Sequence, residues 1–176
     1  VRKSIQSIGR QAPEDGLRTP TSLQPVAAGL AISLYAAWNA RRLHFAWLYS
    51  PYDRGDSVAF LLWILPIVFL WVRRLSTGRP ARVSSTAFAI ALVISFAGVA
   101  TDLSVLEYLG LAVALAGFLP IQPATVPWLA CAAAWMPAAG WAFSAHGSVL
   151  VNSMRVAVGL AALLLTPLFL RNDSTL

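Results

Sequence analysis

Ser57-Val58-Ala59-Phe60-Leu61-Leu62-Trp63-Ile64-Leu65-Pro66-Ile67-Val68-Phe69-Leu70-Trp71-Val72 runs without a charge, between Asp53, Arg54 and Asp56 before it and Arg73 and Arg74 after it. No face of this segment is polar, so a helix formed from it has nothing to turn toward water. The pattern recurs outward along the chain at about 25–40, 86–100, 103–121, 126–145 and 147–170. Polar residues gather in the short intervals between these runs.

Composition agrees: 58% of residues are apolar and 11% charged, against roughly half and a quarter in an average soluble domain. The expectation is an all-α fold, a polytopic transmembrane bundle of about six helices over 25–171, with a flexible cytoplasmic arm at 1–24 and a cytoplasmic tail at 172–176. Several runs fall short of the roughly 20 residues that span a hydrocarbon core, so flanking arginines must snorkel or the bilayer must thin. Only Thr101 and Asp102 separate the third and fourth runs, which leaves a five-helix count as the alternative. The first run follows a basic leader but ends without an A-x-A site, as a retained anchor does and a cleaved signal peptide does not.

The net charge of +6 is spread over the flanks of apolar runs, which points to membrane orientation and away from nucleic acid. Arg2, Lys3, Arg10, Arg18, Arg73, Arg74, Arg79, Arg82 and Arg171 fall on one side of an alternating topology, and Arg41, Arg42 and Arg54 on the other. The positive-inside rule then puts both termini in the cytoplasm of a cell (inner) membrane. Trp38, Trp47, Tyr49, Tyr52 and Trp71 sit at run ends, as amphipathic rings do at headgroup level, and 43–51 reads as a short interfacial segment or an ordinary loop. Pro66, Pro120, Pro127, Pro137 and Pro167 mark kinks or ends of helices.

Arg155 is the residue that most needs explaining, since an arginine in an apolar run costs at least about 2.5 kcal/mol near the bilayer centre. Asn152, three residues earlier, shares its helical face and makes a polar seam. Glu107 and Asp102, near the same outer end, are the expected ion-pair partners. Snorkelling is the rival. His146, in the last outer loop, is the one candidate acid–base residue there. Cys131, the single cysteine, allows no intrachain disulfide, and the expected topology sets it roughly 10 Å from Arg155 in depth. No phosphate-binding glycine loop, metal-spaced His or carboxylate pair or H-E-x-x-H motif occurs, so no cofactor and no metal is expected.

The stretch Trp47-Leu48-Tyr49-Ser50-Pro51-Tyr52-Asp53-Arg54-Gly55, with the apolar helix that ends Leu70-Trp71-Val72-Arg73-Arg74, resembles the front half of the exosortase and archaeosortase family. The likeness continues through 106–119 and 127–137 and covers about 45–143. It implies a polytopic transpeptidase-like protein whose partners, besides the lipid bilayer, are membrane proteins with a C-terminal sorting signal. Family members carry a cysteine in an A-C-S-G-like setting, then N-x-x-R, then a histidine or second arginine. Asn152-Ser153-Met154-Arg155 matches N-x-x-R. Cys131 is followed by Ala132-Ala133, lies 24 positions before Arg155, and no histidine follows the arginine. The resemblance therefore implies an exosortase-like membrane protein with a missing or condensed catalytic half, linked to envelope protein sorting or polysaccharide export. Two alternatives stand beside it: a thiol transpeptidase or protease using Cys131, Arg155 and His146, and a transporter or structural membrane subunit.

Overall fold

Every regular element among the described residues is helical, as expected for an all-α chain. The computed structural model describes residues 23–78, 83–137 and 146–174. Nearly all of the expected arm, 138–145 of the fifth run and the last two residues of the tail lie outside them.

In chain order the helices are α1 (Leu23–Asn39), α2 (Arg42–Tyr49), α3 (Asp56–Thr77), α4 (Ser85–Thr101), α5 (Ser104–Ala116), α6 (Thr125–Ala130), a 3₁₀ segment (Cys131–Trp135), α7 (Ser148–Leu164) and α8 (Thr166–Ser174). Among the described residues two stretches are long and apolar enough to cross a membrane: α3, with 22 residues, and Ser148–Arg171, with 24. At 1.5 Å per residue each exceeds the roughly 30 Å of a hydrocarbon core. Within the segment at 43–51 the chain is helical as far as Tyr49, in α2, and extended at Ser50.

Three expected runs are shorter or broken, each for a local reason. The fourth was expected to reach 121, but α5 stops at Ala116; the Gly117 carbonyl turns to accept from Ser84 N at 2.8 Å and Pro120 follows. The fifth was expected to be one helix. Instead it tightens to 3₁₀ at Cys131 and goes extended at Met136 (φ −86°, ψ 126°), because Pro137 disfavours the α region in the residue before it. The sixth turns at Leu165, two residues before Pro167, and resumes as α8.

α4 and α5 make an antiparallel hairpin in which Gly98 lies at Glu107, Ser95 at Gly110 and Phe88 at Gly117. Asp102 closes it in the left-handed region (φ 53°), capping α4. α1 lies against both helices, with Gly29 over the Phe88 ring.

α3 and α7 pack in parallel. Gly55 touches Asn152, Ala59 touches Gly159, and Arg73 Nη1 donates to the Leu170 carbonyl at 3.0 Å, so the contacts advance together along both chains. The 3₁₀ segment lies against both helices. Its core is aromatic: Trp63 and Trp128 are fully buried and stack with centroids 4.0 Å apart. Each indole N–H donates to the other residue's backbone carbonyl, at 2.8 and 3.0 Å. Pro66, inside α3, removes the donor to the Leu62 carbonyl one turn before it.

The assembly has two chemically different ends. Asp53, Asp56, Asp102 and Glu107, the acids whose side chains are described, lie at one end with Arg41, Arg42, Arg54 and Arg155. Arg73, Arg74 and Arg171 lie at the other, where α3 and α8 finish.

Candidate functional site

The loop Ser50–Gly55 and the first turn of α3 meet α7 two turns into that helix. Pro51 fixes the backbone after α2, and the loop closes through Asp53 N to Ser50 O (3.2 Å) and Asp56 N to Asp53 O (3.1 Å). The Asn152 side chain holds it from the α7 side: its Oδ1 accepts from Gly55 N at 3.0 Å and its Nδ2 donates to the Pro51 carbonyl at 3.1 Å. A Cβ on Gly55 would sit 3.1 Å from the Asn152 carbonyl, which explains a glycine at this close approach.

One turn further along α7, Arg155 points into the space that Asn152 closes. It is 4% exposed. Nη2 donates to Asp53 Oδ1 at 2.9 Å, Nη1 pairs with Asp56 Oδ1, and Nη1 also reaches the Ala134 carbonyl at 3.4 Å. Asp56 is fully buried in the first turn of α3, where the helix dipole favours a carboxylate. The cluster holds two carboxylates for one guanidinium. A planar guanidinium engages both from separate nitrogens in a fixed fork, whereas an ammonium offers its donors from a single nitrogen.

This pairing corrects the expected partners. Asp102 is drawn to Arg42 instead, at 3.0 Å, with both side chains more than half exposed. Glu107 is buried in the first turn of α5 against Gly98, and among the described residues its Oε2 has no hydrogen-bond partner. The α4–α5 hairpin keeps both acids on its own turn, whereas parallel packing brings the start of α3 to α7. Asn152 and Arg155 do share one face, and Asn152 binds backbone where Arg155 binds carboxylates.

The remaining candidates are not among the described partners of Arg155. Cys131 is a free, half-buried thiol opening the 3₁₀ segment, and Arg155's described partners are Asp53, Asp56 and the Ala134 carbonyl. His146 is exposed just before Gly147 (φ 82°). About 10 Å of helix rise separates the start of α7 from Arg155. Among the described residues no three metal-ligating side chains gather.

Compared with protein-family models, curated proteins and solved structures, the chain matches none.

Asp53 and Asp56 are the site residues that sequence reasoning missed, having been read only as loop charges. A signal was present: Gly55, the cap of α3, and Ala59 stand four apart, and Gly159 lies one turn beyond Arg155 on α7. Small residues at that spacing permit close helix approach in membranes.

Proposed function

We propose that the chain is a multi-pass, exosortase-like membrane protein with its acidic end outside the cytoplasm, acting without a catalytic thiol in envelope protein sorting or polysaccharide export. The observation that carries the reading is the engagement of Arg155, which two carboxylates claim and no thiol shares. A cysteine nucleophile needs an adjacent base or cation, and here the cation is committed to fixing the Asp53 loop. The segregation of arginines at the end of α3 and α8 supports placing that end in the cytoplasm. α1, α4, α5 and the 125–135 segment complete the crossings around the two long helices, shielded by the α3–α7 pair and thinned bilayer at their ends.

The thiol transpeptidase reading retains one supporting observation: the 3₁₀ segment that begins at Cys131 packs on α7 and touches Arg155 through Ala134. One experiment separates the two. Cys131→Ala and Asp56→Asn variants are expressed in place of the wild-type gene beside a membrane protein carrying a C-terminal sorting signal, and its processing and surface delivery are followed by immunoblot. The proposal expects Cys131→Ala to be silent and Asp56→Asn to impair delivery. Loss of processing in Cys131→Ala overturns the non-catalytic reading, and silence of both variants overturns the sorting role.

A further inference from the structure

A guanidinium can hold a carboxylate with two parallel N–H donors along either of two edges, one made of both Nη atoms and one of Nε with Nη2. In Arg155, Nη1 is taken by Asp56 and the Ala134 carbonyl. On the second edge Asp53 accepts from Nη2 alone, through Oδ1 at 2.9 Å. Nε, on a residue only 4% exposed, has no hydrogen-bond partner among the described residues. The edge is therefore half used, and a buried donor without a partner is costly.

Asp53 is also the carboxylate in surplus. Asp56, fixed in the first turn of α3, balances the guanidinium by itself. Asp53 stands instead on the loop between α2 and α3, its side chain 10% exposed against 0% for Asp56. Swinging it into water leaves a neutral Arg155–Asp56 pair and an open edge. The loop's ties to α7 are the two Asn152 bonds and this one contact of Asp53. A monocarboxylate is the ligand such an edge selects: it replaces Asp53 one charge for one, and its two oxygens satisfy Nε and Nη2 together. A phosphate dianion would add an unpaired charge beside the buried Asp56.

We infer that the Nε–Nη2 edge of Arg155 is a carboxylate-binding site that Asp53 occupies as a displaceable stand-in, its loop opening when a carboxylate of an exported polypeptide takes its place. For that client and its side of approach, the site rests on the function proposed above; its chemistry rests on the Arg155 geometry alone.

The test uses the full chain purified in detergent near neutral pH. In Asp53→Ala, which vacates the edge, sodium acetate at about tenfold its Kd should raise the unfolding midpoint by roughly 3–6 °C over equal sodium chloride. Acetamide, of the same shape without the charge, should not, and adding Arg155→Lys should abolish the rise, since lysine offers no second nitrogen. N-acetylglycine presents a chain-end carboxylate and N-acetylglutamic acid α-amide a side-chain one; the larger rise names the source, and no rise with either overturns a polypeptide client. With Asp53 in place, a chain carrying Cys131→Ala and Ser50→Cys should be labelled by maleimide several-fold faster in acetate than in chloride, a reading that stands even if Asp53→Ala does not fold. A midpoint that acetate leaves unchanged, or that acetamide raises equally, overturns the site and leaves Nε to a buried water. Unchanged labelling overturns the displacement of Asp53. Neither reading involves sorting, so failure of that role would appear only in the delivery assay above.

Discussion

Arg155→Ala removes the one cation from a cluster that keeps Asp56 fully buried and Asp53 nearly so. Taking one partner from a buried ion pair costs about 3–5 kcal/mol, because the remaining charge is left without compensation. That is a large part of the 5–15 kcal/mol total of a typical domain. At about 2–4 °C per kcal/mol for a chain of this size, the unfolding midpoint in detergent should fall by roughly 6–20 °C. Arg155→Lys should fall in between, since an ammonium keeps the charge but lacks the separate nitrogens that reach Asp53 and Asp56 in the fork. The double variant Arg155→Ala with Asp56→Asn removes the more deeply buried orphan and should regain roughly a third or more of the loss. The assay is fluorescence-detected size-exclusion chromatography of heated samples. A midpoint for Arg155→Ala equivalent to within about 0.5 kcal/mol of wild type, the range of surface changes, refutes the buried cluster, as does a double variant no more stable than the single one.

Asn152→Ala removes both side-chain bonds that pin the Pro51–Gly55 turn; it should cost about 1–3 kcal/mol and open that loop to limited proteolysis. Trp63→Phe and Trp128→Phe each strip an indole donor from a buried carbonyl and should each cost about 1–3 kcal/mol, with the double variant losing less than the sum. Gly159→Ala places a Cβ 3.0 Å from the Ala59 Cα, backbone that cannot yield. It should cost about 1–3 kcal/mol, and weaken disulfide trapping between cysteines placed along α3 and α7. Asp102→Asn should be silent within about 1 kcal/mol, since its pair with Arg42 is exposed and asparagine tolerates the left-handed backbone there.

The helical class was legible because apolar runs and their flanking charges report on solvent, which each segment meets on its own. The breaks at Met136 and Leu165 were half legible: Pro137 and Pro167 announced them, but whether a proline kinks a helix or ends it depends on neighbours. Pro66 is carried inside a continuous α3, whereas Pro137 ends its segment. Arg155 declared its need for a partner through the cost of burying it, while the partner's identity depended on which helices lie side by side. Asp102 and Glu107 matched Arg155 in depth, as did Asp53 and Asp56. Depth comes from the sequence pattern, whereas azimuth comes from small residues such as Gly55, Ala59 and Gly159, whose spacing carries a fainter signal.

The proposed multi-pass chain turns its acidic end away from the cytoplasm. The most direct measurement pairs alkaline phosphatase, active only outside the cytoplasm, with a fluorescent protein, bright only inside, fused in parallel at Asp102 and after Leu176. A chain so oriented gives active phosphatase with a dark fluorophore at Asp102, and the reverse at the C-terminus. A bright fluorophore at Asp102, or active phosphatase at the C-terminus, would contradict it.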